Sequence, residues 1–100
     1  MAIADVRVIP IGTKTPSLTD YVALAVKAIR DEKDIRYQLT PTGTILEGSL
    51  EKLLDAVRRM HEAAFSTEVV RVVTTVEIDE RRDKQTPMEA KVEAVQKKLQ

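Results

Sequence analysis

Cysteine and tryptophan are absent from this chain of 100 residues, and histidine occurs once, at His61. Without cysteine there is no disulfide, no thiolate metal ligand and no thiol nucleophile. A single imidazole cannot build a multi-histidine zinc site within one chain. The three aromatic residues, Tyr21, Tyr37 and Phe65, are too few for a sheet that stacks nucleic-acid bases. Excess charge of one sign is also missing, since 16 basic residues balance 16 acidic ones. That balance removes the bulk electrostatic footprint of a nucleic-acid or membrane-surface binder. No stretch approaches the roughly 20 apolar residues that span a bilayer. The start, MAIADVRVIP, carries Asp5 and Arg7 where a signal peptide keeps an unbroken apolar core. A cytoplasmic location is expected. Glycine is scarce, and Gly12, Gly43 and Gly48 stand apart, so no phosphate-cradling loop is written into the chain. These absences predict no metal and no cofactor, and they favour a binding protein over an enzyme.

What is present is the balance of a folded domain, 43% hydrophobic and 32% charged, so one domain over residues 1–100 is expected. From Ile3 to Ile11 apolar positions alternate, with Ala4, Val6 and Val8 on one face and a mixed second face; this predicts a strand. Gly12 to Pro16 breaks the pattern. Ser17 then stands as a helix cap, and Leu18, Tyr21, Val22, Ala25, Ala28 and Ile29 recur at helical spacing to about Asp31. Ile35–Thr40 and Thr44–Glu47 alternate about the turn Pro41-Thr42-Gly43, which reads as a hairpin. Ser49 caps the clearest helix, with Leu50, Leu53, Leu54, Val57, Met60 and Ala64 on one side. A long strand follows from Val69 to Ile78, then a charged loop over residues 79 to 84. Thr86-Pro87-Met88-Glu89 has the form of a capping box opening a terminal helix, whose stripe is Met88, Val92, Val95 and Leu99.

The order β-α-β-β-α-β-α predicts an α+β ferredoxin-like sandwich, a four-stranded antiparallel sheet with two helices on one face and a C-terminal helix added. Two helices cover one face only. The other carries Ile3, Ile9, Ile11, Val69 and Val73 among Asp5, Arg7, Arg71 and Glu77, a mixture expected of an interface between copies of the chain. His61, beside the apolar Met60, reads as a packing or surface histidine. Two polar clusters stand out as candidate ligand contacts. Thr13, Thr15, Ser17 and Thr19 crowd the first strand-helix junction, and Thr42, Thr44 and Glu47 lie on the hairpin. Hydroxyls with one carboxylate suit a neutral or cationic heterocycle. The plainer reading of Glu47 is compensation of a nearby helix dipole.

Four strings in order, Val8 to Thr13, Ser17 to Val22, Thr42 to Gly48 and Arg71 to Lys84, resemble the family of small thiamine-binding proteins long grouped as uncharacterised (UPF0045). The resemblance spans essentially the whole chain. It implies a ferredoxin-like fold, assembly as a homodimer or dimer of dimers, and binding of thiamine or its hydroxymethyl-aminopyrimidine moiety without chemistry. It also favours Thr13, Ser17, Thr44 and Glu47 as ligand-binding residues. A structural or regulatory module that binds protein rather than a small molecule is the alternative.

Overall fold

The computed structural model describes all 100 residues, Met1 to Gln100. Strand β1 (Ala2–Pro10) leads to helix α1 (Thr19–Lys27). The hairpin β2 (Arg36–Leu39) and β3 (Thr44–Gly48) leads to α2 (Leu50–Ala63), and β4 (Val72–Glu80) is followed by α3 (Met88–Lys98). The sheet order is β2-β3-β1-β4 with every neighbouring pair antiparallel. This is the ferredoxin-like arrangement that the alternating and helical periodicities predict.

Even-numbered residues of β1 and β3 point to the helices. Ala2, Ala4, Val6 and Leu46 are buried there against Ala25 and Ile29 beside α1 and Leu53, Ala56 and Met60 of α2. The alanines matter: small side chains on both layers let α1 and α2 settle close over β1. Ser49 caps α2 as its sequence predicts, accepting a hydrogen bond from the Lys52 N–H at 3.3 Å. His61 packs, with Nδ1 2.6 Å from the Thr74 hydroxyl and its ring edge-on to Phe65.

Three local expectations change. Ser17 is not the N-cap of α1, because the helix opens at Thr19 after Leu18, whose side chain makes no cap bond; the Ser17 hydroxyl only accepts a long hydrogen bond from the Thr19 N–H, at 3.5 Å. The last strand starts at Val72, not Val69, because its partner β1 ends at Pro10, opposite Val72. Val69 is therefore buried in a turn that Ser66 braces, rather than placed on the open sheet face, and Val70 is solvent-exposed. Finally, the capping box at Thr86 does not form. No side chain from its own segment caps α3, and Glu89 turns instead to Arg36.

Candidate functional site

A groove of about 800 Å³ runs between α1 and the β2-β3 hairpin on the helix-covered side of the sheet. It exists because α1 sits over β1 and leaves the hairpin's outer half uncovered. Tyr37 and Leu39, which point to the helix side of β2, remain 38% and 58% exposed. Its opposite wall is one stripe of α1 and the turn after it, Thr19, Val22, Ala23, Val26 and Arg30. The helical turns continue past Lys27, with the Arg30 N–H donating to the Val26 carbonyl at 2.9 Å. At 1.5 Å per residue, Thr19 to Arg30 makes the groove about 16 Å long. Most of its surface is apolar, with a few polar groups at fixed places, the usual make-up of a small-molecule site.

The hairpin turn closes one end. Thr40 and Gly43 pair through their backbones at 2.9 Å, and the Thr40 hydroxyl bonds Gly43 on both its N–H and its carbonyl. Gly43 fits a tight space: a Cβ would lie 2.6 Å from an Asp5 carboxylate oxygen and 3.2 Å from the Val6 carbonyl, so a larger residue would have to displace the Asp5 side chain. β3 begins at Thr44, opposite Val6, so nothing pairs with β1 beyond that point on the hairpin side. The Ile11 N–H donates to the Arg71 carbonyl at 2.9 Å, in register with the β1-β4 ladder. By the alternation of an antiparallel ladder, odd residues of β1 then bond β4 and even ones face β3. Val8 is even and lines the groove, and no strand lies opposite it. Its N–H and C=O form a free donor-acceptor pair at the groove wall.

The four residues singled out by sequence do not share one pocket. Thr44 is 3% exposed and lines the groove. Thr13 and Ser17 lie in the exposed β1-α1 loop; the Thr13 hydroxyl donates to the Thr15 carbonyl at 2.8 Å, and the Ser17 N–H donates to the Thr15 hydroxyl at 3.2 Å. Glu47 faces the opposite side of the sheet, beside Ile3 and Arg36. It is 4% exposed, and its carboxylate takes Arg36 Nη1 at 3.0 Å and the backbone N–H of Met88 at 2.7 Å. Glu47 thus caps α3 from another strand, a helix-dipole role. Arg36 also pairs with Glu89, so three charged groups fasten the start of α3 to the second face. Glu89 is held below the ordinary glutamate value by the backbone N–H at the helix start and by the Arg36 guanidinium. Sequence reasoning missed the groove itself. Its signal is Tyr37 and Leu39, two large residues on the core face of a strand that a short α1 cannot reach.

No group of three or more potential metal ligands is gathered anywhere in the chain, and no helix is long and apolar enough to cross a membrane. The model of the family described as thiamine-binding protein matches residues 4–96. The chain belongs to the thiamine-binding protein family. Among its relatives, the UPF0045 protein YqgV of Bacillus subtilis is 50% identical over 103 residues, covering 100% of this chain and 99% of the relative. The UPF0045 protein MJ1052 of Methanocaldococcus jannaschii is 36% identical, covering 93% of this chain and 90% of its own. A crystal structure of MJ1052 superposes with a TM-score of 0.83 over 94% of both chains. A Thermotoga maritima protein, TM0486, shares the fold at 22% identity with a TM-score of 0.77, over 94% of this chain and 97% of that one. Family membership therefore points to a small-molecule-binding role.

Proposed function

We propose that this chain binds thiamine or its hydroxymethyl-aminopyrimidine moiety in the groove between α1 and the hairpin, as a cytoplasmic homo-oligomer that performs no chemistry on the ligand. The observation that carries the reading is the groove's match of shape and polarity to a flat heterocycle. Its volume lies within the range of small-molecule sites. Tyr37 offers a ring face, Val22 and Leu39 offer apolar walls, and Thr44 offers a hydroxyl. The free N–H and C=O of Val8 complement an aminopyrimidine edge, on which a ring nitrogen accepts and the neighbouring amine donates. Titration calorimetry with thiamine and with the free pyrimidine alcohol tests it. Saturable heat is expected, with a roughly tenfold loss in Tyr37→Ala if a ring stacks there. No heat and no thermal stabilisation at millimolar ligand would overturn it.

Assembly is the second part of the proposal. Beyond α3 the second sheet face leaves Ile9, Ile11 and Val73 exposed, with Ile9 and Val73 adjacent across the β1-β4 ladder. Such a patch, rimmed by the Asp5-Arg7 pair at 3.3 Å, suits a second copy of the same surface.

A further inference from the structure

The charges along the groove are all of one sign. Arg7, Lys27 and Arg30 line it, and no aspartate or glutamate does. Arg7 is occupied by Asp5, but Lys27 enters none of the chain's ion pairs, and the nearest acid to Arg30 is Asp31, at 4.0 Å and 94% exposed. Lys27 ends α1 and Arg30 stands three residues on, in the helical turn that follows it, so they occupy neighbouring positions at one end of the groove. Val8 and the hairpin turn occupy the other end, because α1 runs antiparallel to β1 and its start lies beside the end of that strand. A cleft lined by one sign of charge concentrates ions of the other sign. Free thiamine is a cation and meets the wrong field here.

We infer that the groove is built for a phosphorylated heterocycle, with the base on the Val8 edge and a phosphate monoester held by Lys27 and Arg30. This rests on the groove being the ligand site, and it narrows the ligand to its anionic form. The spacing fits, since an extended molecule of two linked rings ending in a phosphate reaches along a groove of about 16 Å. The two cations also offset the partial negative charge at the end of α1. A phosphate bound there neutralises charge that the dipole alone does not balance, because two full positive charges face about half a negative one.

The experiment is a titration of the intact protein with thiamine monophosphate, thiamine and the free pyrimidine alcohol, at about 20 mM and about 200 mM salt. At low salt the monophosphate binds roughly tenfold or more tightly than thiamine, and the ratio shrinks several-fold at high salt as the exposed cations are screened. The double variant Lys27→Gln/Arg30→Gln brings the two affinities within about twofold, since it removes the charges that hold the phosphate. An unchanged melting curve for that variant shows the fold intact. Thiamine binding as tightly as its monophosphate, or a double variant that keeps the full preference, overturns the inference while leaving the groove as the site. Failure of all three compounds to bind overturns the underlying reading as well.

Discussion

Glu47 shows how much one buried carboxylate decides. It sits on the face of the sheet away from the groove, closed in by the start of α3, with a guanidinium and a backbone N–H as partners. Replacing it with alanine leaves the Met88 N–H without an acceptor, whereas Arg36, half exposed, regains water. Loss of a charge-assisted hydrogen bond of this kind costs about 1.5–3 kcal/mol, and Glu47→Gln, which keeps an acceptor, costs about half as much. Urea unfolding is expected to show both losses, and pyrimidine affinity is expected to stay within about twofold. A large drop in affinity at unchanged stability would instead put Glu47 in the ligand site. The sequence presented Glu47 and Thr44 as neighbours on one hairpin, and they are. Alternation already puts residues three apart on opposite faces; what the sequence did not show is that Glu47 is taken up by Arg36 and the start of α3. The hydroxyls of Thr13, Thr15 and Ser17 were legible as a polar cluster, but they are spent on local hydrogen bonds, those of Thr13 and Thr15 within the loop and that of Ser17 to Thr19 at the start of α1.

Among the elements, α3 is the least secured. Eleven residues are too few for a stable isolated helix, and of its apolar stripe only Met88 is buried, while Val92, Val95 and Leu99 stay exposed. Its docking therefore depends on the charged cluster at its first turn. The sign of the pH dependence follows from Glu89, whose folded value lies below the ordinary 4.5. A depressed carboxylate stabilises fully above its unfolded value, and that contribution is lost as pH falls through the folded one. Amide exchange is expected to show α3 losing protection below about pH 4.5 while β1 keeps its own; α3 and β1 equally protected at pH 3.5 would refute it. The periodicities located every strand and helix because one buried face imposes a period of 2 or 3.6. They failed at the ends. The valines at 69 and 70 continue an apolar run past the last residue that has a partner strand, and the Thr86 capping box resembles a local solution that Glu47, 41 residues before Met88 in sequence, supplies instead. The groove escaped because it is a gap between elements, and no single element's pattern records it.

On the scale of the whole molecule, a lone chain is too open. Its radius of gyration is 14.8 Å, against about 13 Å for a compact domain of this length. Its accessible surface is 7096 Å², against roughly 5,700 Å² for a monomer of this mass. Part of the excess is the groove, part the loosely docked α3, and part the apolar strip of Ile9, Ile11 and Val73. The outer edge of β4 adds a nine-residue row of backbone groups with no neighbouring strand, a feature that natural sheets normally cover. A standard interface removes about 800 Å² from each partner, enough to absorb more than half of the excess. Val73 gives the cleanest test, since it faces the open side in register with Ile9 and takes no part in the groove. Sedimentation of the unaltered chain at about 50 μM, where a standard-sized interface of micromolar affinity is mostly formed, is expected to give a species heavier than the 11.2 kDa protomer. Val73→Lys buries an unpaired charge in that interface and is expected to shift the population to protomers, with at least a roughly tenfold weaker association. Ligand binding in the groove should survive in Val73→Lys, because Val73 lies on the open side and does not line the groove. A strictly monomeric wild type removes the assembly, and a Val73→Lys protein that associates as before places the contact elsewhere than on this face.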